Sequence, residues 1–241
     1  PDGATLIPVT NDANFSPDDH FLYTASNAGI SVFKFEDDTL SLVQNIDGDG
    51  SLRGLRPFVI SPNGHWLYTV AEKPGNLQAF RRDEASGKLE SIQTLVDGQD
   101  GIASLNGAFR LAESADGKNI YVAAGRTQGD QAVSSFAVQP DGQMKLLQQF
   151  TNGMDGFEEF EGANEITVSL DGKWVFAVTS DSDRLFRFHR DPAAGKLTFI
   201  SSQQADTFAR PGAAGVCVSP DSKFVYVADD KESAIEVFKL P

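Results

Sequence analysis

SLDGKWVFAV, residues 169–178, decides the fold because the chain keeps returning to it. Related stretches run SPDDHFLYTA from Ser16, SPNGHWLYTV from Ser61, SADGKNIYVA from Ser114 and SPDSKFVYVA from Ser219. The serines stand 45, 53, 55 and 50 residues apart, and an aromatic follows each by seven: Tyr23, Tyr68, Tyr121, Phe176 and Tyr226. A second aromatic recurs at Phe33, Phe80, Phe136, Phe188 and Phe238. Repetition at this period over a whole chain signals stacked or radially arranged supersecondary units.

Each copy reads as four short strands. An apolar inner strand such as Phe58-Val59-Ile60 precedes the serine. Asp-Gly or Asn-Gly in three of the five turns supplies the positive φ of a tight hairpin. The second strand carries the aromatic, with alternating neighbours on its other face. The third ends near the Phe, and a Gly-containing turn leads to a polar fourth strand, as at Leu89–Leu95 and Leu197–Gln203. Four strands per unit describe a propeller blade. The expected architecture is all-β: one five-bladed β-propeller domain of four-stranded antiparallel blades. The blades fall at 10–46, 56–95, 108–150, 163–203 and 213–241 plus 1–9. Segment 1–9 is expected to pair, as an N-terminal strand, with the C-terminal blade, closing the ring and removing an open sheet edge.

Composition narrows the partners. Twenty Lys plus Arg against 34 Asp plus Glu give a net charge of −14. That excess repels nucleic-acid phosphates and anionic membrane surfaces, so neither is an expected partner, and a monomer is expected. No apolar run approaches the ~20 residues of a membrane helix. Cys217, the single cysteine, excludes an intrachain disulfide, and its apolar setting Gly215-Val216-Cys217-Val218 predicts a buried, inert thiol. An acidic, cysteine-poor chain starting at Pro1 without Met points to an extracytoplasmic location, periplasmic or secreted.

The run Gly-Ala-x-x-(x)-Val-Ser-Pro-Asp-Gly-Lys-x-Val-Tyr-Val, followed by a Phe-x-x-Asp-x-x-x-Gly-Lys-Leu-Thr-Phe stretch, is best matched at Gly162–Phe199 and Gly212–Phe238. It resembles the YVTN-repeat and lactonase-type β-propellers of bacteria. The resemblance implies a family that includes 6-phosphogluconolactonase-like hydrolases and surface or periplasmic proteins of unassigned role. Its lactonase-type members typically have seven blades.

Catalytic motifs are not legible. His20 and His65 share the turn position of Lys118, Lys173 and Lys223, and His189 follows the third-strand Phe, so all three read as surface residues. There is no Gly-x-Ser-x-Gly elbow and no Ser-His-Asp pattern. Whatever recurs five times is scaffold, so function belongs where the copies differ. Four residues before the turn serine stand Asp12, Pro57, Arg110, Glu165 and Gly215; five before stand Asn11, Arg56, Phe109, Asn164 and Ala214. Asn11, Asp12, Arg56, Arg110, Asn164 and Glu165 form the candidate ligand-binding set at the channel mouth, with Arg supplying paired donors. The alternative is that these charges pair among themselves and plug the channel.

Asp47, Asp49, Asp97, Asp100 and Asp155, in Asp-Gly loops, are the candidate Ca²⁺ ligands, but they lack the spacing of a dedicated calcium loop and read first as turn formers. No cofactor is otherwise expected. The run Phe157-Glu158-Glu159-Phe160-Glu161 reads as a loop packing its Phe inward, or as a contact for a basic partner. The primary functional reading is a binding or scaffold propeller presenting its loop face to a small polar molecule or a protein. The alternative is a lactonase-like hydrolase, with Glu165 or Asp12 activating water and Arg56 or Arg110 polarising the carbonyl. A third is a structural ring, natural fragment or engineered, with no ligand.

Overall fold

The computed structural model describes residues 10–47, 50, 54–125, 129–154, 156–204, 212–231 and 233–240. Among them are 19 strands in five antiparallel sheets. The first sheet holds β1 (Thr10–Phe15), β2 (Phe21–Ser26), β3 (Gly29–Glu36) and β4 (Thr39–Asp47). The second holds β5 (Leu55–Ile60), β6 (Trp66–Ala71), β7 (Asn76–Arg82) and β8 (Leu89–Val96). The third holds β9 (Ala108–Glu113), β10 (Asn119–Ala124), β11 (Ala132–Val138) and β12 (Met144–Thr151). The fourth holds β13 (Ala163–Val168), β14 (Trp174–Thr179), β15 (Arg184–Arg190) and β16 (Leu197–Gln204). The fifth has three strands, β17 (Ala213–Val218), β18 (Phe224–Asp229) and β19 (Ala234–Lys239). Each strand pairs with the next in sequence, so every sheet is a meander.

The repeated serine builds the inner hairpin. Its Oγ accepts the amide five residues on (Phe21, Trp66, Asn119, Trp174 and Phe224, at 2.9–3.0 Å). It donates to the Asp or Asn oxygen two residues on, at 2.5–2.6 Å. The turn then needs one left-handed residue, which is Gly64, Gly117 or Gly172 in three copies and Asp19 or Ser222 in the others. The serines are thus structural, as their recurrence implied.

The aromatic seven residues later crosses to the next sheet. Tyr23 donates to the Gly87 carbonyl (2.7 Å), Tyr68 to Gly142 (3.2 Å) and Tyr121 to Gly195 (3.1 Å). These glycines lie against the preceding sheet so closely that a Cβ on Gly87 would sit 2.2 Å from the Phe21 ring.

Two of these contacts carry a buried arginine. Arg190 donates from Nε to Tyr121 (2.7 Å), from Nη1 to the Gly172 carbonyl (2.9 Å), and from Nη2 to Asn119 (2.7 Å) and both Asp116 oxygens (3.1 and 3.2 Å). Arg82 repeats the arrangement with Tyr23, Gly64 and Asp18. Burial alone would raise the Asp18 carboxyl, but hydrogen bonds from Ser16, Arg82 and the His20 amide, with the Arg82 charge, bring it down to about 2. Between sheets two and three the corresponding places hold Asn63 and Val138, and no such latch forms.

The closed five-bladed ring is not what the structure shows. Inner strands pack in succession, β1 on β5, β5 on β9, β9 on β13 and β13 on β17, but among the described residues β17 has no comparable packing on β1. The two end faces are open: Phe15, Ile235 and Val237 are 45%, 69% and 54% exposed, although their counterparts inside the array are covered. Segment 1–9 lies outside the described residues, and among those described no fourth strand flanks β19. Cys217 is likewise corrected, for it is exposed. Strand alternation turns Val216 into the core against sheet four and Cys217 to the opposite side.

His20, His65 and His189 are exposed as expected; His65 pairs with Glu84 (2.6 Å). Phe157 and Phe160 are fully buried among Phe186, Phe188 and Phe199, so the acidic run packs its aromatics inward.

Candidate functional site

Inner strands β1, β5, β9, β13 and β17 bring the residues four and five before each turn serine to one end of the array. Of the five-before residues, Asn11 and Asn164 bond forward to the main chain of the next sheet, and Arg56 lies over Phe109 of the next. Asn11 Nδ2 donates to the Leu55 carbonyl of sheet two (2.7 Å) and to Asn27 Oδ1 (3.1 Å). Asn164 Nδ2 donates to the Ala213 and Ala214 carbonyls of sheet five (3.3 and 3.2 Å). Asp12 is also committed to main chain: Oδ1 accepts the Ala13 amide (2.9 Å) and Oδ2 the Phe58 amide of sheet two (3.1 Å), with Asn14 Nδ2 at 3.2 Å. These three residues act as struts between sheets.

Arg56 and Arg110 behave differently. Both guanidinium groups lie over one ring, Phe109, at 4.6 and 4.4 Å from its centroid. Such contacts add attraction as water is excluded. Arg56 Nη2 also pairs with Glu72, which stands in the β6–β7 loop. Arg110 Nε pairs with Glu165 Oε2 (3.2 Å) and its Nη1 donates to the Phe109 carbonyl (3.2 Å). Burial raises the Glu165 carboxyl above its ordinary range; Arg110 opposes this, and the charge of Asp12 adds to it. Asp12, Arg110 and Glu165 are therefore electrostatic neighbours, although they come from sheets one, three and four. Beside Glu72, a solvent-open cavity of about 560 Å³ is lined by Asn27, Gly54, Glu72 and Lys73.

Glu72, Asn27 and Lys73 escaped the sequence reading because they sit in loops between second and third strands, whose lengths differ from copy to copy. Glu113 also escaped it, although the signal was present. It occupies the place before the turn serine where the other copies have Phe15, Ile60, Val168 and Val218.

Among the described residues the calcium candidates do not converge. Asp97 Oδ1 accepts the Leu105 amide (3.0 Å), Asp100 is a turn residue at φ 52°, and Asp47 ends β4. Asp49 and Asp155 lie outside the described residues. Among the described residues no group of three or more His, Cys, Asp or Glu is placed to hold a metal ion.

Known proteins match this chain along its length. The 6-phosphogluconolactonase of Pectobacterium carotovorum is 25% identical over 202 residues, covering 83% of this chain and 54% of that protein. That of Erwinia tasmaniensis is 23% identical, covering 91% of this chain and 61% of that protein. The solved periplasmic gluconolactonase of Pseudomonas aeruginosa superposes with a TM-score of 0.67 at 23% identity, over 96% of this chain and 57% of that one. The chain thus spans between half and two thirds of these relatives. A family model described as lactonase, seven-bladed β-propeller, matches residues 10–105 and 106–241. Its seven blades overturn the five-bladed count, which measured the copies in this chain and not the blades of the ring. Matched across both segments, the chain belongs to the lactonase family of seven-bladed β-propellers.

Proposed function

We propose that the chain contributes the working face of a lactone hydrolase, with the site at the channel mouth in the sector of sheets two to four. The observation that carries this reading is the pair of Arg–Glu couples, Arg56–Glu72 and Arg110–Glu165, meeting on Phe109. Ester hydrolysis needs a base for water and a cation for the oxyanion. Glu165 is the base: it takes a proton from water as the water oxygen bonds to the lactone carbonyl carbon. Arg110, with Arg56, stabilises the negative oxygen that forms. The ring C–O bond then breaks, the proton passes to the leaving alkoxide, and an open hydroxy acid departs. The cavity beside Glu72, Asn27 and Lys73 receives the polar substituents of a sugar lactone. Names of relatives, 6-phosphogluconolactonase and gluconolactonase, support that substrate class.

The test is hydrolysis of sugar lactones followed by acid release. Replacing Glu165 by Gln is expected to lower kcat by about 10²–10⁴-fold, the usual worth of a general base. Absence of turnover above background in the unaltered protein, or an unchanged rate in Glu165→Gln, overturns the reading.

A second reading, capture of a small polar ligand without turnover, draws on the fact that each guanidinium is already paired with a glutamate. Saturable calorimetric binding of a sugar acid with no hydrolysis of its lactone favours it. An extracytoplasmic location remains our proposal, supported by the acidic, cysteine-poor composition and by one periplasmic neighbour.

A further inference from the structure

A short segment, 105–107, leads into β9 and so sets where Phe109 and Arg110 stand. It is gripped from the loops on either side. The Gly107 amide donates to the Glu72 carbonyl (3.2 Å), while the Asn106 carbonyl accepts the Asp130 amide (2.9 Å) and the Gly107 carbonyl the Gly125 amide (3.1 Å). The fit is close: a Cβ on Gly75 would lie 2.8 Å from Asn106 Cα, and one on Gly129 2.4 Å from the Asn106 carbonyl oxygen. Two carboxyls complete the grip on consecutive amides. Asp97, just after β8, takes the Leu105 amide on Oδ1 (3.0 Å), and Asp130, just before β11, takes the Asn106 amide on Oδ2 (2.8 Å).

These two carboxyls are in hydrogen-bond contact with each other. Two carboxylates that close repel, and an ionised carboxylate only accepts, so the contact needs a proton. The seam between sheets three and four builds the same clasp without one. There Asn152 Oδ1 takes the Phe160 amide eight residues on, as Asp97 takes that of Leu105. Asn152 also brings its own donor, Nδ2, which reaches Gln131 Oε1 (2.9 Å). Asp97 has none to bring. Burial raises the Asp130 pKa above 3.8; the Asn106 amide opposes this, and the Asp97 carboxyl adds to it. Other charged groups on the packed loops are Glu72 and Lys73 of the β6–β7 turn and Asp100 in the turn after Asp97, and Glu72 is paired with Arg56.

We propose that Asp97 and Asp130 are positioning residues for Phe109 and Arg110, and that the proton they share couples the seat of those two side chains to pH. This control rests on Arg110 and Glu165 being the hydrolytic pair. With the proton in place, one carboxyl donates to the other and segment 105–107 is held from both sides. A value raised on folding makes this tie fully present below 3.8, and it is lost as pH rises through the raised value. The two carboxylates then repel and draw apart the amides they hold. Phe109, on which both guanidinium groups lie, shifts with the segment. Glu165 works ionised, so it sets the acid limb of a pH–rate profile and the Asp97–Asp130 pair sets the alkaline limb.

The test is a pH titration of backbone amide signals by NMR, run beside lactone hydrolysis. In the unaltered protein the Leu105 and Asn106 amides are expected to share one inflection above 3.8, and the Phe109 and Arg110 amides to follow it. Asp130→Asn gives the pair a permanent donor and keeps an oxygen for the Asn106 amide. The shared inflection should vanish in that variant, and with it the alkaline limb of hydrolysis. In Asp97→Asn the new amide donates to ionised Asp130, so the Leu105 inflection should vanish and that of Asn106 should move to lower pH. Separate titration of Leu105 and Asn106 overturns the proposal, as do Phe109 and Arg110 amides that ignore their inflection. An alkaline limb unchanged in both variants overturns it as well. Turnover absent from all three proteins overturns the hydrolase reading instead, and the Phe109 and Arg110 amides still decide the positioning.

Discussion

Replacing Glu113 by Val is expected to stabilise the protein at alkaline pH and to leave it little changed near pH 5. Glu113 ends β9, facing the seam with sheet two, and both its carboxyl oxygens are buried without a hydrogen-bond partner. Burial, and then the negative charge of Asp116, push its pKa from 4.5 up to about 8. Between those two values the folded protein holds a proton that the unfolded chain has released. Stability therefore falls as pH rises, since its slope follows the protons bound by the unfolded state minus those bound by the folded one. The contribution is fully present below pH 4.5 and is lost as pH rises through about 8. At about 1.4 kcal/mol per pH unit across that interval, the stability withdrawn by pH 9 is on the order of 4–5 kcal/mol.

Valine is the residue that sheets four and five carry at this place, Val168 and Val218, so the change should be accommodated. Urea denaturation from pH 5 to pH 9 measures the outcome, with unaltered m-values as the check that the transition remains comparable. The wild-type midpoint should decline across the range while that of Glu113→Val stays flatter, and the gap should widen steadily. Glu113→Gln should be flat as well, though lower, because it leaves an amide unsatisfied in the same place. Parallel wild-type and Glu113→Val curves would refute the reasoning, since they would mean the carboxyl titrates alike in folded and unfolded chains.

Arg190→Leu strips partners from Asp116, Tyr121, Asn119 and the Gly172 carbonyl, and should cost about 3–5 kcal/mol by denaturation, as broken buried pairs do; a loss below about 1 kcal/mol would place it with weak surface pairs. Gly87→Ala should be far more damaging than Gly98→Ala: both need positive φ, but only at Gly87 does the new Cβ meet a side chain, at 2.2 Å. Gly98→Ala should cost about 1 kcal/mol from conformation alone, and equal melting temperatures for the two variants would count against the close-packing account. Cys217 should take up one equivalent of a thiol reagent in the native protein at the rate of an exposed thiol, and protection until unfolding would contradict its placement.

The repeat made the sheets legible because each copy repeats a local solution, a serine that binds its own turn, which survives in all five copies. The tyrosine that crosses a seam to a glycine 64 to 74 residues on recurs in three. Ring closure is not local. It depends on how many sheets share the circle, and no residue of one copy encodes that number. The open faces at Phe15 and at Ile235 and Val237 therefore had no counterpart in the pattern. Cys217 was misread for the same reason: an apolar run buries both faces of an inner strand only where a sheet lies on each side. At the mouth, the gathering of these residues at one end of the array was legible, and the partners they bind were not. Asn11, Asp12 and Asn164 look like ligand donors in sequence, yet the carbonyls and amides they bind belong to other sheets.

That division of roles also supports the sector of sheets two to four, proposed above, as the one a ligand enters. The seams from sheet one to two and from four to five are held at the mouth by side chains bound to main chain, through Asn11 with Asp12 and through Asn164. A ligand that displaced those side chains would leave buried amides and carbonyls without partners, at a cost of about 1–3 kcal/mol each. From sheet two to four the mouth is held mainly by side chains on side chains: Arg56 on Glu72 and Phe109, Arg110 on Glu165 and Phe109. An incoming polar group can replace a glutamate at either guanidinium while the sheets keep their cores. The variants discriminate accordingly. Asn164→Ala should lower stability and act on lactone turnover only through it, whereas Arg110→Ala should lower turnover with the denaturation midpoint nearly intact. The reverse pattern would move the site to the strut residues and out of the sector of sheets two to four.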